Sequence, residues 1–455
     1  MYINGYKLDE SQMEAIKSTS DATLVVAGAG SGKTLTIMGL IKYLIDELKY
    51  KEYEILAISF TNATVKSLQD KLNELGYSID VKTFHKLGLS ILDNKYSIIN
   101  DKYLDYIIDE YFNSYIKYSK NKDTLNKILF SNKKIDNLLI TNEFYELKKL
   151  ISTFIRLLKS NNLNEKYIFK IYSKSFFNNK RIMKYILDIY IIYKRELESM
   201  NKMDFDDMIS YAKNYVKTSY LKYKYIIIDE FQDTSKVRFD LIQEIIKYTK
   251  AKLFCVGDDY QSIYRFSGCN LDIFLNFKRL FNNSNIYYLT NTYRNSNELI
   301  KVSTSFIMKN KKQLKKNIKS NKNLDKPIVI CLYKSIEDII NKIHSNDLMI
   351  IGRNNKDIEN IQFDNKYTIH RSKGLEADDV LLVNSDDIPS KIKSPNLLKY
   401  VMSTKDYILH EEERRLFYVA LTRTKNRIYI QVNKYISPFV KELMKDYKEY
   451  IEIWR

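Results

Sequence analysis

The 455-residue sequence lacks several features that define other classes of protein. Its three cysteines, Cys255, Cys269 and Cys331, form no C-x-x-C pair, which argues against a zinc or iron–sulfur site and fits a reducing compartment. No run of about eighteen apolar residues occurs, so no membrane-spanning helix is expected. The N-terminus lacks the basic segment and apolar core of a secretory signal. These absences predict a cytoplasmic protein with no membrane partner.

Glycine and proline are also scarce, with 11 and 4 residues, whereas basic residues are abundant. The 74 Lys and Arg residues outnumber 56 Asp and Glu, which gives a net charge of +18. A surplus this large favours a polyanionic partner such as nucleic acid. AT-rich coding would enrich Lys, Asn, Ile and Tyr in the same way, and charge alone does not separate the two explanations. The hydrophobic fraction of 45% and the length predict several globular domains.

Three of the glycines lie close together in residues 27–34, which read AGAGSGKT. The segment follows an apolar run, residues 23–26, and precedes residues 35–48, whose spacing predicts a helix. A strand, a glycine-rich loop and Lys-Thr at a helix start are the context of a phosphate-binding P-loop. Lys33 would reach the β- and γ-phosphates, and the Thr34 hydroxyl would ligate Mg²⁺. We therefore predict a site for ATP and Mg²⁺ that comprises Ala27, Gly28, Ala29, Gly30, Ser31, Gly32, Lys33 and Thr34.

A second apolar run, residues 225–228, ends in the paired carboxylates Asp229 and Glu230. A buried parallel strand would deliver them to the sheet edge where α/β proteins bind ligands. Asp229 is then expected to hold the Mg²⁺ shell and Glu230 to polarise the attacking water. A strand end without catalytic function is the alternative for such a pair, and the neighbouring P-loop favours catalysis.

A third apolar run, residues 253–256, precedes a polar and aromatic segment. The neutral amide of Gln261 is suited to sensing a γ-phosphate and its loss. Tyr264 and Phe266 offer aromatic faces for base stacking. Packing in a hydrophobic core is the alternative for each aromatic residue taken singly.

Further segments resemble the motifs of the UvrD/Rep/PcrA family of superfamily 1 helicases, and they follow one another along the chain in the order that the family has. The N-terminal half contains matches to the Q motif, motif Ia, motif Ib and an acidic motif at residues 8–12 (LDESQ), 59–62 (SFTN), 82–85 (KTFH) and 204–207 (DFDD). The C-terminal half contains matches to motifs IV, IVa, V and VI at residues 291–294 (NTYR), 350–354 (IIGRN), 368–376 (TIHRSKGLE) and 411–423 (EEERRLFYVALTR).

The resemblance implies that ATP is hydrolysed in a cleft between two RecA-like domains. Gln12 would read the adenine, Tyr293 would stack on it and Glu376 would hold the ribose. Arg294 and Arg423 would reach the γ-phosphate from the second domain, because planar guanidinium groups suit the charge that develops in phosphoryl transfer. The catalytic set is then Lys33, Asp229, Glu230, Gln261, Arg294 and Arg423. The residues expected to contact single-stranded DNA are Phe60, Thr61, Asn62, Thr83, His85, Tyr264, Phe266, Thr368 and His370.

We expect an α/β fold in which two RecA-like P-loop domains contain parallel sheets. Residues 1–92 and 204–278 would form the first domain, and residues 279–455 the second. Residues 93–203, which contain no glycine or proline, predict a helical insertion like the family's 1B subdomain. The family's 2B subdomain is expected to be absent or minimal, because residue 354 is followed almost at once by the strand of motif V. The basic run 309–326 would either grip phosphates or form a solvated loop.

The leading hypothesis is an ATP-dependent DNA translocase or helicase that acts on single-stranded and tailed duplex DNA. Movement in the 3′→5′ direction is implied by the resemblance. The alternative is a nucleic-acid-sensing ATPase subunit that regulates a partner nuclease, as the size resembles that of the helicase subunit of the Gabija antiviral defence system. An RNA helicase is a third reading, because stacking on single strands does not separate RNA from DNA.

Overall fold

The computed structural model describes residues 1–93, 96–100, 102–131, 134–390, 396–402 and 409–455. A short antiparallel pair of strands precedes the first of two six-stranded parallel sheets. A capping box between Asp9 and Gln12 starts the first helix, and strand 22–26 is buried at all five positions because helices cover both faces of the sheet. The elements of this part are β1 Tyr2–Ile3, β2 Tyr6–Lys7, α1 Glu10–Ile16, β3 Ala22–Val26, α2 Lys33–Lys42, β4 Ile55–Ser59, α3 Asn62–Glu74, β5 Asp80–Thr83 and α4 Phe84–Ile91.

A helical insertion follows, as the sequence predicts. Its apolar residues recur at helical spacing and form a core of their own. A short parallel pair of strands closes its base, where the Ile99 N–H donates to the Met203 carbonyl over 2.9 Å. Its elements are β6 Ser97–Ile98, α5 Lys102–Tyr115, α6 Ser119–Phe130, α7 Asn142–Ser160, α8 Glu165–Lys174, α9 Phe177–Ser199 and β7 Lys202–Met203.

The chain then returns to the first sheet and completes it. The strand order is β10-β3-β9-β8-β4-β5, with every neighbouring pair parallel. The sheet therefore continues beyond residue 278, where the sequence prediction ended the first domain, because Ser284–Tyr288 pairs with β3. The elements are α10 Phe205–Tyr215, β8 Tyr225–Ile228, α11 Lys236–Thr249, β9 Lys252–Gly257, α12 Leu271–Leu275, α13 Phe277–Leu280 and β10 Ser284–Tyr288.

The second sheet also has six parallel strands, in the order β13-β12-β14-β15-β11-β16. A short connection with a single 3₁₀ turn, Asn355–Asp357, joins β12 to β13. Its elements are α14 Asn297–Ile307, β11 Ile328–Leu332, α15 Ile336–Lys342, β12 Leu348–Gly352, β13 Lys366–Thr368, β14 Asp379–Leu382, α16 Leu409–Leu421, β15 Ile428–Val432, α17 Pro438–Asp446 and β16 Ile451–Trp454. The two sheets with their helices confirm the predicted α/β class.

The insertion also touches the second domain. Leu397, Leu398 and Val401 pack into the core of the insertion, and the Tyr167 hydroxyl donates to the Tyr400 carbonyl over 2.7 Å. In the part of the chain that the structure describes, no helix combines the length and apolar character needed to cross a bilayer.

Candidate nucleotide and nucleic-acid site

The loop between β3 and α2 has the backbone of a phosphate cradle. Gly30 and Gly32 have φ angles of +69° and +79°, which favour glycine. A Cβ on Gly30 would lie 2.4 Å from the Cβ of Arg294, and one on Gly32 would lie 2.6 Å from Nε2 of Gln12. Gly32 caps α2, so the N–H groups of a helix start adjoin the loop and can bind an anion.

Lys33 and the carboxylates after β8 meet beside this loop. Lys33 Nζ lies 2.8 Å from Glu230 Oε1. Loss of solvation and the charge of Glu230 raise the pKa of Asp229 to about 6. Loss of solvation also acts to raise the pKa of Glu230, but the ammonium groups of Lys33 and Lys373 lower it to about 2. Negative charge is therefore concentrated where the predicted general base and metal ligand lie.

The same residues fit a magnesium ion. Mg²⁺ prefers oxygen ligands and in phosphate-transfer sites takes few protein ligands beside water and substrate phosphates. Burial and the charge of Glu230 raise the pKa of Asp229, and a cation beside it would favour its charged form. Within the described ranges, no group of three or more His, Cys, Asp or Glu side chains could hold a metal ion. Thr34 and Asp229 stay the ligands that the sequence predicts for an ion bound together with nucleotide phosphates.

Gln261 and Arg423 meet at the boundary between the two domains. Gln261 lies in a 3₁₀ turn after β9, and its Nε2 donates to Asp258 Oδ2 over 2.7 Å. Arg423 Nη2 donates to Gln261 Oε1 over 3.0 Å, and its Nη1 donates to the Leu375 carbonyl over 3.1 Å. Burial and the nearby charge of Arg294 lower the pKa of Arg423 to about 9. The predicted γ-phosphate sensor and one predicted arginine finger are thus in direct contact.

The other predicted arginine finger, Arg294, is paired with Glu376, which is also a predicted site residue. Arg294 Nη2 lies 2.6 Å from Glu376 Oε2, and its Nη1 donates to the Thr422 carbonyl over 3.1 Å. The neighbouring Tyr293 N–H donates to the Gly30 carbonyl over 2.9 Å. The segment that carries both residues therefore rests on the P-loop. Arg294 would have to exchange Glu376 for a phosphate, and Glu376 would have to release Arg294 to hold a ribose.

The two residues predicted to surround the adenine, Gln12 and Tyr293, lie at the start of helix α1. Gln12 is fully buried, and its Nε2 lies 3.4 Å from the Ser31 carbonyl. Tyr293 is 60% exposed, and its hydroxyl donates to Asp9 Oδ2 over 2.9 Å. Asp9, the N-cap of α1, thereby links Tyr293 to the helix that contains Gln12. The open face of Tyr293 is suited to stacking on a base.

Aromatic residues from both domains form a cluster on another side of the cleft. Ring centroids of Tyr264 and Phe266 lie 6.1 and 5.4 Å from that of His370. The Tyr264 hydroxyl donates to the His370 carbonyl over 2.9 Å. Phe266 is 52% exposed, so it presents a face to solvent. Burial and Arg353 lower the pKa of His370 to about 4, which leaves its imidazole neutral at pH 7.

A groove of about 450 Å³ lies beside this cluster, between the insertion and the first domain. His85 and Phe266 line it, as do basic side chains from both sides. Burial and Arg238 lower the pKa of His85 to about 4, so this imidazole is also neutral at pH 7. Basic and aromatic side chains together suit a single-stranded nucleic acid. The basic residues of the groove are Lys148, Lys149, Arg156, Lys159 and Arg238.

Other residues predicted to contact DNA have structural contacts. Thr61 and Thr83 accept the N–H groups of Thr64 and Lys86 and so cap α3 and α4. Asn62 is the exposed first residue of α3. Phe60 packs edge-on against Phe84 at 5.8 Å, and Arg238 lies over its ring at 5.1 Å. Thr368 is buried at the end of β13 and accepts the Arg371 N–H over 3.3 Å.

Sequence reasoning missed two buried lysines in the cleft. Lys373 pairs with Asp233 and donates to the Gln261 carbonyl over 2.8 Å. Lys316 donates to the carbonyl of Ala27, the first P-loop residue, over 2.9 Å. Lys373 lies inside the motif V segment, so the resemblance offered a signal for it. Lys316 belongs to the basic run 309–326, where nothing in the sequence distinguishes it from its exposed neighbours.

Two protein-family models match the chain. Residues 8–282 match the model described as the UvrD/REP helicase N-terminal domain. Residues 354–435 match the one described as the UvrD-like helicase C-terminal domain. The first match alone covers more than half of the 455 residues.

Curated proteins are similar over most of the chain. A probable DNA helicase II homolog of Mycoplasma capricolum subsp. capricolum is 30% identical over 77% of this chain and 48% of that protein. DNA helicase IV of Escherichia coli strain K12 is 27% identical over 96% of this chain and 70% of that protein. ATP-dependent DNA helicase Rep of Buchnera aphidicola subsp. Baizongia pistaciae is 29% identical over 72% and 47%. The chain therefore spans about half the length of two of these three relatives.

Proposed function

The chain belongs to the UvrD/REP helicase family, and from this premise we propose that it is an ATP-dependent DNA translocase or helicase. The proposed substrates are ATP with Mg²⁺, single-stranded DNA and tailed duplex DNA. Movement in the 3′→5′ direction is part of the proposal and rests on the family alone. A cytoplasmic location stays a prediction from the sequence.

One observation carries the proposal: Arg423 of the second domain donates a hydrogen bond to Gln261 of the first over 3.0 Å. This contact lies in the same cleft as the P-loop and the Lys33–Glu230 pair. A phosphoryl group bound there would have donors from both domains around it. Hydrolysis would therefore depend on how the two domains approach each other.

The roles of the individual residues follow from their chemistry. Backbone N–H groups of the P-loop and Lys33 would hold the phosphates, and Glu230 would orient and polarise the attacking water. Thr34 and Asp229 would hold Mg²⁺, which when bound neutralises negative charge on the phosphates. Arg294 and Arg423 would stabilise the charge that develops in the transition state. After hydrolysis these arginines lose their partner, and the domains would separate.

Coupling to movement requires that both domains contact the same strand. Tyr264 and Phe266 of the first domain and His370 of the second form one aromatic cluster. A base stacked there would be gripped or released as the domains shift, because the two halves of the cluster move with different domains.

A second candidate function is a nucleic-acid-sensing ATPase subunit that regulates a partner nuclease, as in an antiviral system. The observation that favours it is the short β12–β13 connection, which contains a single 3₁₀ turn at the place where the sequence predicts the 2B subdomain to be absent or minimal. In this reading the chain would hydrolyse ATP and move on single strands but separate duplexes poorly without its partner.

The first experiment is ATP hydrolysis at low salt, measured without nucleic acid and with single-stranded DNA, duplex DNA or single-stranded RNA. Stimulation by single-stranded DNA, followed by unwinding of a tailed duplex, is the expected result for a helicase. Stimulation without unwinding would favour the regulatory subunit. Stimulation by RNA alone would contradict the choice of DNA.

Lys33→Ala is the matched variant for this experiment. We expect hydrolysis to fall by about 10² or more, because the variant lacks the cation that reaches the β- and γ-phosphates. Affinity for single-stranded DNA should stay within about three-fold, since Lys33 lies in the cleft and not in the groove. Circular dichroism must first show a folded variant, because the change also removes the partner of Glu230. Full hydrolysis by the folded variant would refute the assigned role.

A further inference from the structure

The basic run 309–326 contains one lysine that differs from the others in its surroundings. Lys316 is only 6% exposed, whereas Lys311, Lys315 and Lys319 of the same run are exposed. We call residues 310–319 the strap, because this irregular segment leaves α14 of the second domain and crosses to the P-loop of the first. The sequence alone predicted a phosphate grip or a solvated loop for this run, and neither describes Lys316.

The ammonium group of Lys316 is held by groups of the first domain. Its Nζ donates to the Ala27 carbonyl over 2.9 Å, pairs with Asp258 and lies 2.7 Å from Asp259 Oδ1. It also lies 3.7 Å from the ring centroid of Tyr260. Both aspartates are fully buried. A buried carboxylate without a cation is strongly unfavourable, so the positive charge of Lys316 stabilises this pair of aspartates.

Asp258 connects this lysine to the predicted γ-phosphate sensor. One carboxylate oxygen of Asp258 faces Lys316, and the other accepts a hydrogen bond from Gln261 Nε2 over 2.7 Å. The amide oxygen of Gln261 in turn accepts Arg423 Nη2 over 3.0 Å. A continuous set of polar contacts thus runs from the P-loop carbonyl through Lys316, Asp258 and Gln261 to Arg423.

The strap is anchored on both sides of Lys316. Before it, the Leu314 N–H donates to Asp259 Oδ2 over 2.8 Å, and the Leu314 carbonyl accepts the Tyr260 hydroxyl over 2.7 Å. After it, Ile318 packs so closely on the P-loop that a Cβ on Gly28 would lie 2.3 Å from its Cδ1. These contacts fix the position of Lys316 independently of its charge.

We propose that Lys316 is a positioning residue that fixes Asp258 and thereby the amide of Gln261 against the γ-phosphate. It acts through Asp258 and does not itself touch the nucleotide. Because the strap belongs to the second domain, the orientation of Gln261 would depend on a segment that moves with that domain. The proposal rests on the proposed function, since it assigns Gln261 to sensing the γ-phosphate.

The test compares Lys316→Met, a side chain of similar length without charge, with the matched control Lys315→Met at the exposed neighbouring position. The readouts are kcat for ATP hydrolysis with single-stranded DNA and the affinities for ATPγS and ADP. In Lys316→Met we expect kcat to fall by about 10²-fold, because misplacing a catalytic group by about 1 Å has this effect. The preference for ATPγS over ADP should also be lost, with ADP affinity within about three-fold of wild type. Lys315→Met should match wild type in all three.

Two further measurements test the proposal even if Lys316→Met fails to fold. Lys316→Met leaves the carboxylates of Asp258 and Asp259 buried without their lysine. The double variant Asp259→Asn/Lys316→Met removes one of these two charges and should show the same loss of ATPγS preference. In the unmodified chain, acylation of lysines followed by mass spectrometry should modify Lys316 at least about ten-fold more slowly than Lys315, because a buried amine is shielded from the reagent. Equal rates would overturn the proposal without any variant.

The outcomes separate this proposal from the proposed function. A wild-type chain that binds ATPγS more tightly than ADP but hydrolyses no ATP with any nucleic acid would contradict the proposed function. In that case the ATPγS preference of Lys316→Met would still decide the role of Lys316. Full kcat and an unchanged ATPγS preference in folded Lys316→Met would overturn the positioning role while leaving the proposed function intact. Wild-type chain that binds neither nucleotide would contradict both.

Discussion

At the scale of single residues, burial decides which basic side chains remain available for nucleic acid. Lys316 and Lys373 are enclosed in ion pairs with aspartates, and Arg423 is 1% exposed. These cations contribute to the net charge of +18, yet a strand on the surface would not reach them. The charge that favours a polyanion must instead come from exposed residues, such as Lys149 in the groove.

Phe266 provides a test of stacking at this scale. The side chain is 52% exposed, so truncating it to alanine should leave little cavity and little loss of stability. Because base stacking contributes about 1–3 kcal/mol per base, Phe266→Ala should weaken single-stranded DNA binding by about 5- to 150-fold. DNA stimulation of hydrolysis should fall, and hydrolysis without DNA should change little.

The matched control is Phe169→Ala, which removes another exposed phenylalanine, 58% exposed, from helix α8 of the insertion. This variant should retain wild-type DNA affinity, measured by fluorescence anisotropy of a labelled oligonucleotide. Normal DNA affinity and stimulation in Phe266→Ala would mean that the ring only packs against Tyr264 and His370.

At the scale of elements, the sequence predicted the strands and loops whose structure depends on neighbouring residues alone. The apolar runs of β3, β8 and β9 and the glycine-rich loop before α2 are recognisable because parallel strands are buried on both faces and the loop requires positive φ. Strand β10 was not recognised, because Ser284–Tyr288 has no fully buried position. Its place at the edge of the first sheet depends on pairing with β3, about 260 residues earlier in the chain, which no local pattern encodes.

The junction of α7 and α10 carries an element-scale prediction about pH. Asp206, in the first turn of α10, accepts a hydrogen bond from Ser160 at the end of α7 over 3.2 Å. Burial and the charge of Asp204 raise its pKa to about 6, against the opposing effects of Arg238 and Lys159. The folded state therefore binds this proton more tightly than the unfolded state. Stability contributed by Asp206 is present below pH 4 and is lost as the pH rises through about 6.

Asp206→Asn should relieve this loss, because asparagine keeps an acceptor for Ser160 without the charge. A shift of about two pKa units corresponds to at most about 3 kcal/mol, and partial solvation in the groove should reduce the gain to about 1 kcal/mol. We expect a higher melting temperature than wild type at pH 8 and little difference at pH 4, measured by calorimetry. Equal melting temperatures at pH 8 would show that Asp206 is already balanced by its cationic neighbours.

At the scale of the whole molecule, the resemblance to a helicase family indicated which residues belong to one site but not how they contact one another. Arg294 is held by Glu376, and Arg423 by Gln261, so predicted ligand-binding residues are paired with each other. Lys316 had no sequence signal at all, because its burial arises only when the strap crosses to the first domain. Contacts between distant segments depend on the assembled domains, which explains why the sequence predicted a set of site residues but not the buried lysines that contact them.

The groove between the insertion and the first domain leads to a prediction about salt. If about four basic side chains in and beside this groove contact phosphates, the logarithm of the single-stranded DNA affinity should fall with the logarithm of salt concentration with a slope of about −3, since each contact contributes about −0.7. Affinity would then drop about 60-fold between 50 and 200 mM salt.

Lys149 is exposed and lines the groove, so Lys149→Met should make the slope shallower by about 0.7. Lys441→Met, an exposed change on α17, is the control and should keep the wild-type slope. An unchanged slope in Lys149→Met together with a shallower one in the control would place the strand outside this groove.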